Sequence, residues 1–206
     1  MKRFCFAIFV VALMSGVASA GPIPAGWTCT GSCGTLGADG VVTLGPSGNP
    51  YEWISTWGGI MHVGSLGFAG NETDGSMLQS STFSANAGDP LQFYFNYVTS
   101  DGHGFPDYAW VQLVNATTLN AVLLFTARTT PGGDTVPGQG MPPIAPGVTL
   151  VPPSTPIIPG GPAWSPLGGY SGHCWDVGCG YTGWIGSSYN IVDSGNYYLL
   201  FGVVNA

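Results

Sequence analysis

The chain has 206 residues, of which 45% are hydrophobic, 13% are aromatic and only 6% are charged. Its three Lys and Arg residues stand against ten Asp and Glu residues, and its formal net charge at pH 7 is −7. Because nucleic acids and anionic lipid surfaces are bound through clusters of cations, this composition excludes both as partners, and the hydrophobic content argues against a disordered chain.

Residues 1–20, MKRFCFAIFVVALMSGVASA, have the three-part pattern of a cleaved secretory signal: two cations, an apolar run and an Ala-Ser-Ala end. The apolar run is too short for a membrane-spanning helix, which needs about 20 apolar residues, and no second such run follows it. We therefore predict a signal peptide at 1–20, cleavage after Ala20, and an exported mature chain without a membrane span. Its only Lys or Arg is then Arg128.

After residue 20 the sequence alternates with a period of two, which is typical of half-buried strands. The predicted strands, in chain order, are 41–44, 51–56, 77–83, 91–98, 107–114, 121–127, 147–151, 181–185 and 197–204. The three between 91 and 127 are predicted to be consecutive antiparallel strands. Because 34 Gly and 17 Pro argue against long helices, we predict an all-β sandwich or barrel.

The segment 130–169 holds eleven of the 17 prolines and nine of the 34 glycines. A free linker is one interpretation of this composition. A long ordered loop is the other, and we favour it because the segment also carries apolar side chains that a linker would not need: Ile157, Ile158, Trp164 and Leu167. The mature chain, 21–206, is therefore predicted to be a single domain with one Pro/Gly-rich excursion.

Four cysteines follow the signal, in two close pairs: Cys29 with Cys33, and Cys174 with Cys179. Four cysteines allow three pairings. Export favours oxidation, and each pair encloses small or turn-forming residues, so we predict two local disulfides. A zinc site is the alternative, although both spacings are wider than the usual two-residue zinc knuckle.

The segment YVTSDGHGFPDYAW places Asp101 and Asp107 among glycines, and the segment NETDG adds Asn71 and Asp74. Carboxylate and amide oxygens on flexible turns suit calcium, which takes about six to eight oxygen ligands, so these four residues are the candidate metal site. Asp and Asn in such turns also commonly bond to their own backbone, which is the alternative interpretation. A third is a hydrolase that uses Asp101 and Asp107 as paired carboxylates.

Aromatic side chains are candidates for stacking on sugar rings. The set consists of Trp53, Trp57, Tyr108, Trp110, Trp164, Trp175, Tyr181 and Trp184. In the strand 107–114, the aliphatic residues at positions 109, 111 and 113 are predicted to face the core, which would turn Tyr108 and Trp110 outward. With Trp53 and Trp57 these two form the candidate ligand-binding set. The alternative is that the tryptophans simply fill the core.

Three long stretches carry a resemblance to a known family: FSANAGDPLQFYFNYVTSDGHGFPDYAWVQL, WSPLGGYSGHCWDVGCGYTGWIGSSY and GNYYLLFGVVN. From about Gly26 to Asn205, the chain resembles an uncharacterised family of exported bacterial β-sandwich proteins, many of which carry a PEP-CTERM sorting tail. The resemblance implies a jelly-roll-like antiparallel sandwich at the surface, or in the exopolysaccharide matrix, of a Gram-negative bacterium. It implies no established activity. Family members continue after FGVVN into a last strand, so we expect this chain, which stops at Ala206, to lack that edge strand and the tail.

We therefore predict a non-catalytic, secreted or cell-surface β-sandwich of the extracellular matrix that binds polysaccharide. A structural or adhesive matrix protein without a small ligand is the second interpretation, and a hydrolase is the third. Calcium is the one cofactor that the sequence suggests.

Overall fold

The computed structural model describes residues 21–206, so the predicted signal peptide lies outside the described residues. They form 17 strands and one 3₁₀ helix, Ser165–Tyr170, and the all-β prediction is confirmed. The strands are β1 (Thr28–Thr30), β2 (Ser32–Leu36), β3 (Tyr51–Ser55), β4 (Ile60–Met61), β5 (Asp74–Gln79), β6 (Phe83–Ala85), β7 (Pro90–Phe95), β8 (Val98–Thr99), β9 (Tyr108–Asn115), β10 (Ala121–Arg128), β11 (Asp134–Val136), β12 (Thr149–Val151), β13 (Thr155–Pro156), β14 (Ile158–Pro159), β15 (Gly180–Tyr181), β16 (Ile185–Asn190) and β17 (Gly195–Val204). Within 21–206, no helix has the length and apolar character needed to cross a membrane.

The main sheet is antiparallel, and its strands lie in the order β1, β5, β17, β9, β10. β17 lies at its centre. Residues 197–204 pair with β9 along one edge of β17, while β6 and then β5 pair with successive parts of the other edge. At one end of the sheet, Val204 of β17 therefore lies opposite both Tyr108 of β9 and Gly75 of β5.

A three-stranded sheet, in the order β12, β16, β7, packs against one face of the main sheet, giving a sandwich-like arrangement. Leu91, Phe93 and Phe95 of β7 pack against the shared core, as their alternation predicts. The expectation that β7 neighbours β9 in one sheet is wrong, because β7 pairs with β16 of the second sheet. The buried core between the sheets contains Tyr97, Ala109, Val111, Leu113, Leu124, Phe125, Ala127, Val136, Leu150, Ile185, Tyr189, Ile191, Tyr197 and Leu199. Jelly-roll connectivity stays a prediction.

The Pro/Gly-rich segment 130–169 supplies the strands β11 to β14 and the 3₁₀ helix. Val136 and Leu150 from this segment are buried in the core. The segment also runs along β10, which is the edge strand of the main sheet, and there Ala145 N donates a hydrogen bond to Leu123 O at 2.8 Å. Its backbone therefore covers part of an otherwise open sheet edge.

Both predicted local disulfides are confirmed. Cys29 is bonded to Cys33, next to the turn between β1 and β2, and Cys174 is bonded to Cys179 in the loop before β15. Because a disulfide sulfur is not a thiolate, neither pair is available to zinc in this state.

The predicted outward placement of Tyr108 and Trp110 is wrong. Tyr108 is 1% exposed and Trp110 is 3% exposed. The segment 62–73 crosses the face of the sheet on which both rings stand. Trp110 Nε1 donates to Gly64 O at 2.7 Å, and the Tyr108 hydroxyl donates to Glu72 Oε1 at 3.1 Å. Both faces of β9 are therefore buried, and Tyr108 and Trp110 belong to a core cluster rather than to an exposed face of the sheet.

We expect Trp110→Ala to lower the free energy of unfolding by about 3–5 kcal/mol, because it removes a fully packed indole ring and leaves a cavity. Val192→Ala is the matched control: Val192 is 67% exposed, and its truncation should change stability by no more than about 0.5 kcal/mol. Urea unfolding followed by fluorescence measures both. A Trp110→Ala protein as stable as the control would show that the covering segment does not bury this ring in solution.

Candidate functional site

A cleft of about 590 Å³ lies between the two layers of strands. One wall is formed by β3 and the adjoining loops, a second by the segment 93–101, and the third by the ends of β9 and β17. Its volume falls within the range of about 300–1,000 Å³ that is typical of small-molecule sites. The cleft is therefore large enough to hold a ligand.

The walls of the cleft are rich in aromatic rings. The aromatic residues that line it are Trp27, Tyr51, Trp53, Trp57, Phe93, Tyr94, Phe95, Tyr97, Tyr108, Trp110, Phe125, Trp164, Tyr170, Trp184 and Phe201. Trp53 and Trp57, both candidates from the sequence, are among them. Tyr51 is buried behind them, where it accepts a hydrogen bond from Trp164 Nε1 at 3.0 Å and contacts the edge of the Trp184 ring. The wall that carries Trp53 is thus held by rings packed behind it.

A row of exposed rings continues from the mouth of the cleft across the surface. We call Trp57, Tyr170, Trp175 and His173 the aromatic row. The ring centroids of Trp57 and Tyr170 are 5.2 Å apart, those of Tyr170 and Trp175 are 5.8 Å apart, and His173 stacks on Trp175 at 5.9 Å. Trp57, Tyr170 and Trp175 are 48%, 45% and 59% exposed. Contiguous exposed aromatic surface of this kind marks interaction sites.

The sequence analysis did not single out Tyr170 and His173. Both lie in the stretch GGYSGHCW, directly before or beside the Cys174–Cys179 disulfide loop. Trp57 follows β3, whereas the rest of the row lies near the 3₁₀ helix and the disulfide loop. These segments are distant in the sequence, so their rings meet only in the folded chain. The clustering of Tyr, His and Trp around one disulfide was the available signal.

Carboxyl groups gather at the inner end of the cleft. Because Tyr108, Gly75 and Val204 lie opposite one another, their chain neighbours Asp107, Asp74 and Asn205 meet at the same end of the main sheet. Asn205 Nδ2 donates to Asp74 Oδ1 at 3.2 Å, and the backbone N–H of the residue after Asn205 donates to Asp107 Oδ1 at 3.1 Å. All three of these residues line the cleft.

Asp101 completes the acidic group. Asp101 lines the cleft together with Asp107, and its negative charge acts on the Asp107 carboxyl. Asp107 is only 9% exposed, and this burial raises the pKa of its carboxyl well above the ordinary value. The Asp101 carboxylate raises the Asp107 pKa further, because two negative charges at this distance repel each other. Asp107 therefore holds its proton to a higher pH than an exposed aspartate does.

The loop that carries Asp101 is fixed against the disulfide loop. Trp175 N donates to Ser100 O at 3.0 Å, and His103 Nδ1 lies 3.1 Å from Asp176 Oδ2. Gly102 packs directly on Asp176, where a side chain on the glycine would overlap the aspartate. The aromatic row and the carboxyl pair consequently belong to one packed unit.

The candidate calcium residues are only partly brought together. Asp74, Asp101 and Asp107 line one cleft, but Asn71 is exposed and outside its lining. In the part of the chain that the structure describes, no group of three or more His, Cys, Asp or Glu side chains is arranged to hold a metal ion. Calcium binding stays a prediction.

The hydrolase interpretation uses Asp101 and Asp107 as paired carboxylates, and both line the cleft. That interpretation stays a prediction.

Comparisons with known protein families, curated proteins and solved structures found no match for this chain. A function for it must therefore be argued from the chemistry of the cleft and the aromatic row.

We expect Asp107→Asn to stabilise the protein at pH 8 and to have progressively less effect towards pH 4. Between about pH 4, the ordinary carboxyl pKa, and the raised pKa of Asp107, the folded protein holds a proton that the unfolded chain has released, so stability falls as the pH rises. The amide of the Asp107→Asn variant cannot titrate, so the variant does not lose stability in this way. In the unmodified protein the loss of stability amounts to about 1.4 kcal/mol for each pH unit between the two pKa values.

Urea unfolding at pH 4, 6 and 8 measures this effect. Asp193→Asn is the control, because Asp193 is exposed and outside the cleft, and it should change stability equally little at each pH. A stabilisation by Asp107→Asn that does not depend on pH would mean that Asp107 is not the titrating group.

Proposed function

We propose that the protein binds polysaccharide, with the aromatic row as its outer platform and the cleft as its inner subsite. The observation that carries this proposal is the exposure of three large rings in one row at the mouth of a cavity. The C–H faces of a pyranose ring are apolar and pack on aromatic rings, while its hydroxyl groups need polar partners at the rim. The row supplies the first requirement.

Polar side chains in the cleft supply the second requirement. Thr56 and Asn96 line it beside the rings, and both are partly exposed. A hydroxyl both donates and accepts, and an amide offers two donors and an acceptor, which is the pattern that sugar hydroxyls match. The lining therefore places polar groups beside aromatic rings, and this mixture suits a sugar better than a purely apolar ligand.

One further observation supports a setting in an extracellular matrix or at a cell surface. The protein has two disulfides, which persist in oxidising compartments. If the protein is instead a structural or adhesive protein without a small ligand, the cleft has no role in binding. This alternative predicts a folded protein that retains no glycan.

We expect the protein to bind oligosaccharides in titration calorimetry at both low and high ionic strength, because stacking and hydroxyl hydrogen bonds are screened little by salt. Cellohexaose, chitohexaose and a β-1,3-glucan hexamer are suitable probes. Trp175→Ala should weaken binding roughly 2- to 13-fold, which corresponds to about 0.5–1.5 kcal/mol for one lost aromatic contact.

Phe105→Ala is the control, because Phe105 is a 63% exposed aromatic residue outside the cleft lining. It should leave the affinity unchanged. Equal loss in both variants would mean that the row has no special part in binding. Absence of binding to any glycan, with the protein folded, would support the structural alternative.

A further inference from the structure

Among residues 21–206, the charged side chains that line the cleft are all acidic. They are Glu52, Asp74, Asp101 and Asp107. No Lys, Arg or His of this range lines it. Negative groups around an enclosed, low-dielectric space raise the local concentration of cations and exclude anions. The cleft is therefore unsuited to uronic acids, phosphorylated sugars and sulfated sugars.

Among residues 21–206 the one Lys or Arg is Arg128, and it does not line the cleft. Its Nε donates to Pro106 O at 3.4 Å, and its guanidinium lies 5.2 Å above the Phe68 ring. The contact between His103 Nδ1 and Asp176 Oδ2 also lies outside the lining.

Asp107 is the most buried of the four acids. It is nine-tenths buried, reaches the cleft, and has a backbone N–H and a second carboxyl group as its side-chain partners. Burying a carboxylate without a neighbouring cation costs free energy, and removing the counter-ion of a buried carboxylate destabilises a protein by several kcal/mol. Burial and Asp101 both raise the pKa of Asp107, and a cation placed beside the pair would lower it again. This end of the cleft is built to receive positive charge.

The aromatic walls favour the same kind of ligand. Aromatic faces attract ammonium groups as well as the apolar faces of sugars, and a charged amine donates short, strong hydrogen bonds to carboxylates. Tyr97 connects the aromatic wall with Asp107. It lines the cleft, and its hydroxyl donates to the backbone carbonyl oxygen of Asp107 at 2.8 Å. Sugar stacking and amine recognition are thus available within one cavity.

We propose that the cleft selects a polysaccharide with free amino groups, such as a glucosamine polymer, and holds one ammonium group at Asp101 and Asp107. This inference rests on the proposed polysaccharide binding and names the class of sugar. Asp101, which is partly exposed, meets the ammonium first, and Asp107 lies behind it. The rings of the row pack on the neighbouring sugar units.

The test compares three β-1,4-linked hexasaccharides that differ only at carbon 2: glucosamine with an ammonium group, N-acetylglucosamine with an amide, and glucose with a hydroxyl. Titration calorimetry at pH 6 and low salt should give the glucosamine hexamer an affinity at least about tenfold above that of cellohexaose, because hydrogen bonds to charged groups contribute about 1.5–3 kcal/mol. The advantage should shrink at high salt, whereas cellohexaose binding should not.

Different failures give different results. Equal or tighter binding of cellohexaose or the N-acetylglucosamine hexamer would overturn the amino-sugar inference and leave the proposed function standing. Absence of binding to all three would overturn both. Spermidine, an amine without sugar rings, is the fourth probe: an affinity equal to that of the glucosamine hexamer would show attraction by charge alone and overturn the selection of a sugar.

Asp101→Asn locates the ammonium site. It should abolish the preference for the glucosamine hexamer over cellohexaose, because the amide keeps the size of the side chain and removes its charge. Asp193→Asn removes an exposed charge outside the cleft and should preserve the preference. Unchanged preference in Asp101→Asn would overturn the assignment.

Discussion

The double pairing of β17 is the constraint on which the rest of the structure depends. One ten-residue strand bonds to β9 on one edge and to β6 and β5 on the other, and this aligns segments that are far apart in the chain. Its last residues fix where β5 and β9 begin. The carboxyl groups at the inner end of the cleft are close together because of this register, since Asp74 and Asp107 each stand at the start of a strand bonded to β17.

The aromatic row depends on a second arrangement, in which two loops pack without a spacer. Gly102 leaves room for Asp176, and the disulfide loop can therefore bond to the backbone at Ser100. The same loop carries Trp175. The proposed platform for sugar rings and the proposed pocket for an amine would then share one support, so that a ligand spanning both would contact a single preformed surface with little ordering cost.

Alternation predicted the strands of the core but not their surroundings. The pattern of β9 separates its aliphatic face from its aromatic face correctly, yet it carries no information on whether another segment covers the second face. That is why Tyr108 and Trp110 were placed outward, whereas residues 62–73 bury them. Likewise, the pairing of β7 with β16 joins segments about 90 residues apart in the chain, a contact that local periodicity cannot specify. Cysteine spacing predicted both disulfides because they are local.

The Pro/Gly-rich excursion along β10 has a consequence for behaviour at high concentration. An open edge strand offers a ladder of N–H and C=O groups that a second molecule can extend into a fibre. Here the Pro/Gly-rich segment occupies part of that ladder, because Ala145 N donates a hydrogen bond to β10. Prolines stand on both sides of this residue. Proline has no N–H to donate, so the covering segment ends the ladder and gives a further chain little to add to. Molecules at high concentration can then lie side by side without joining their sheets.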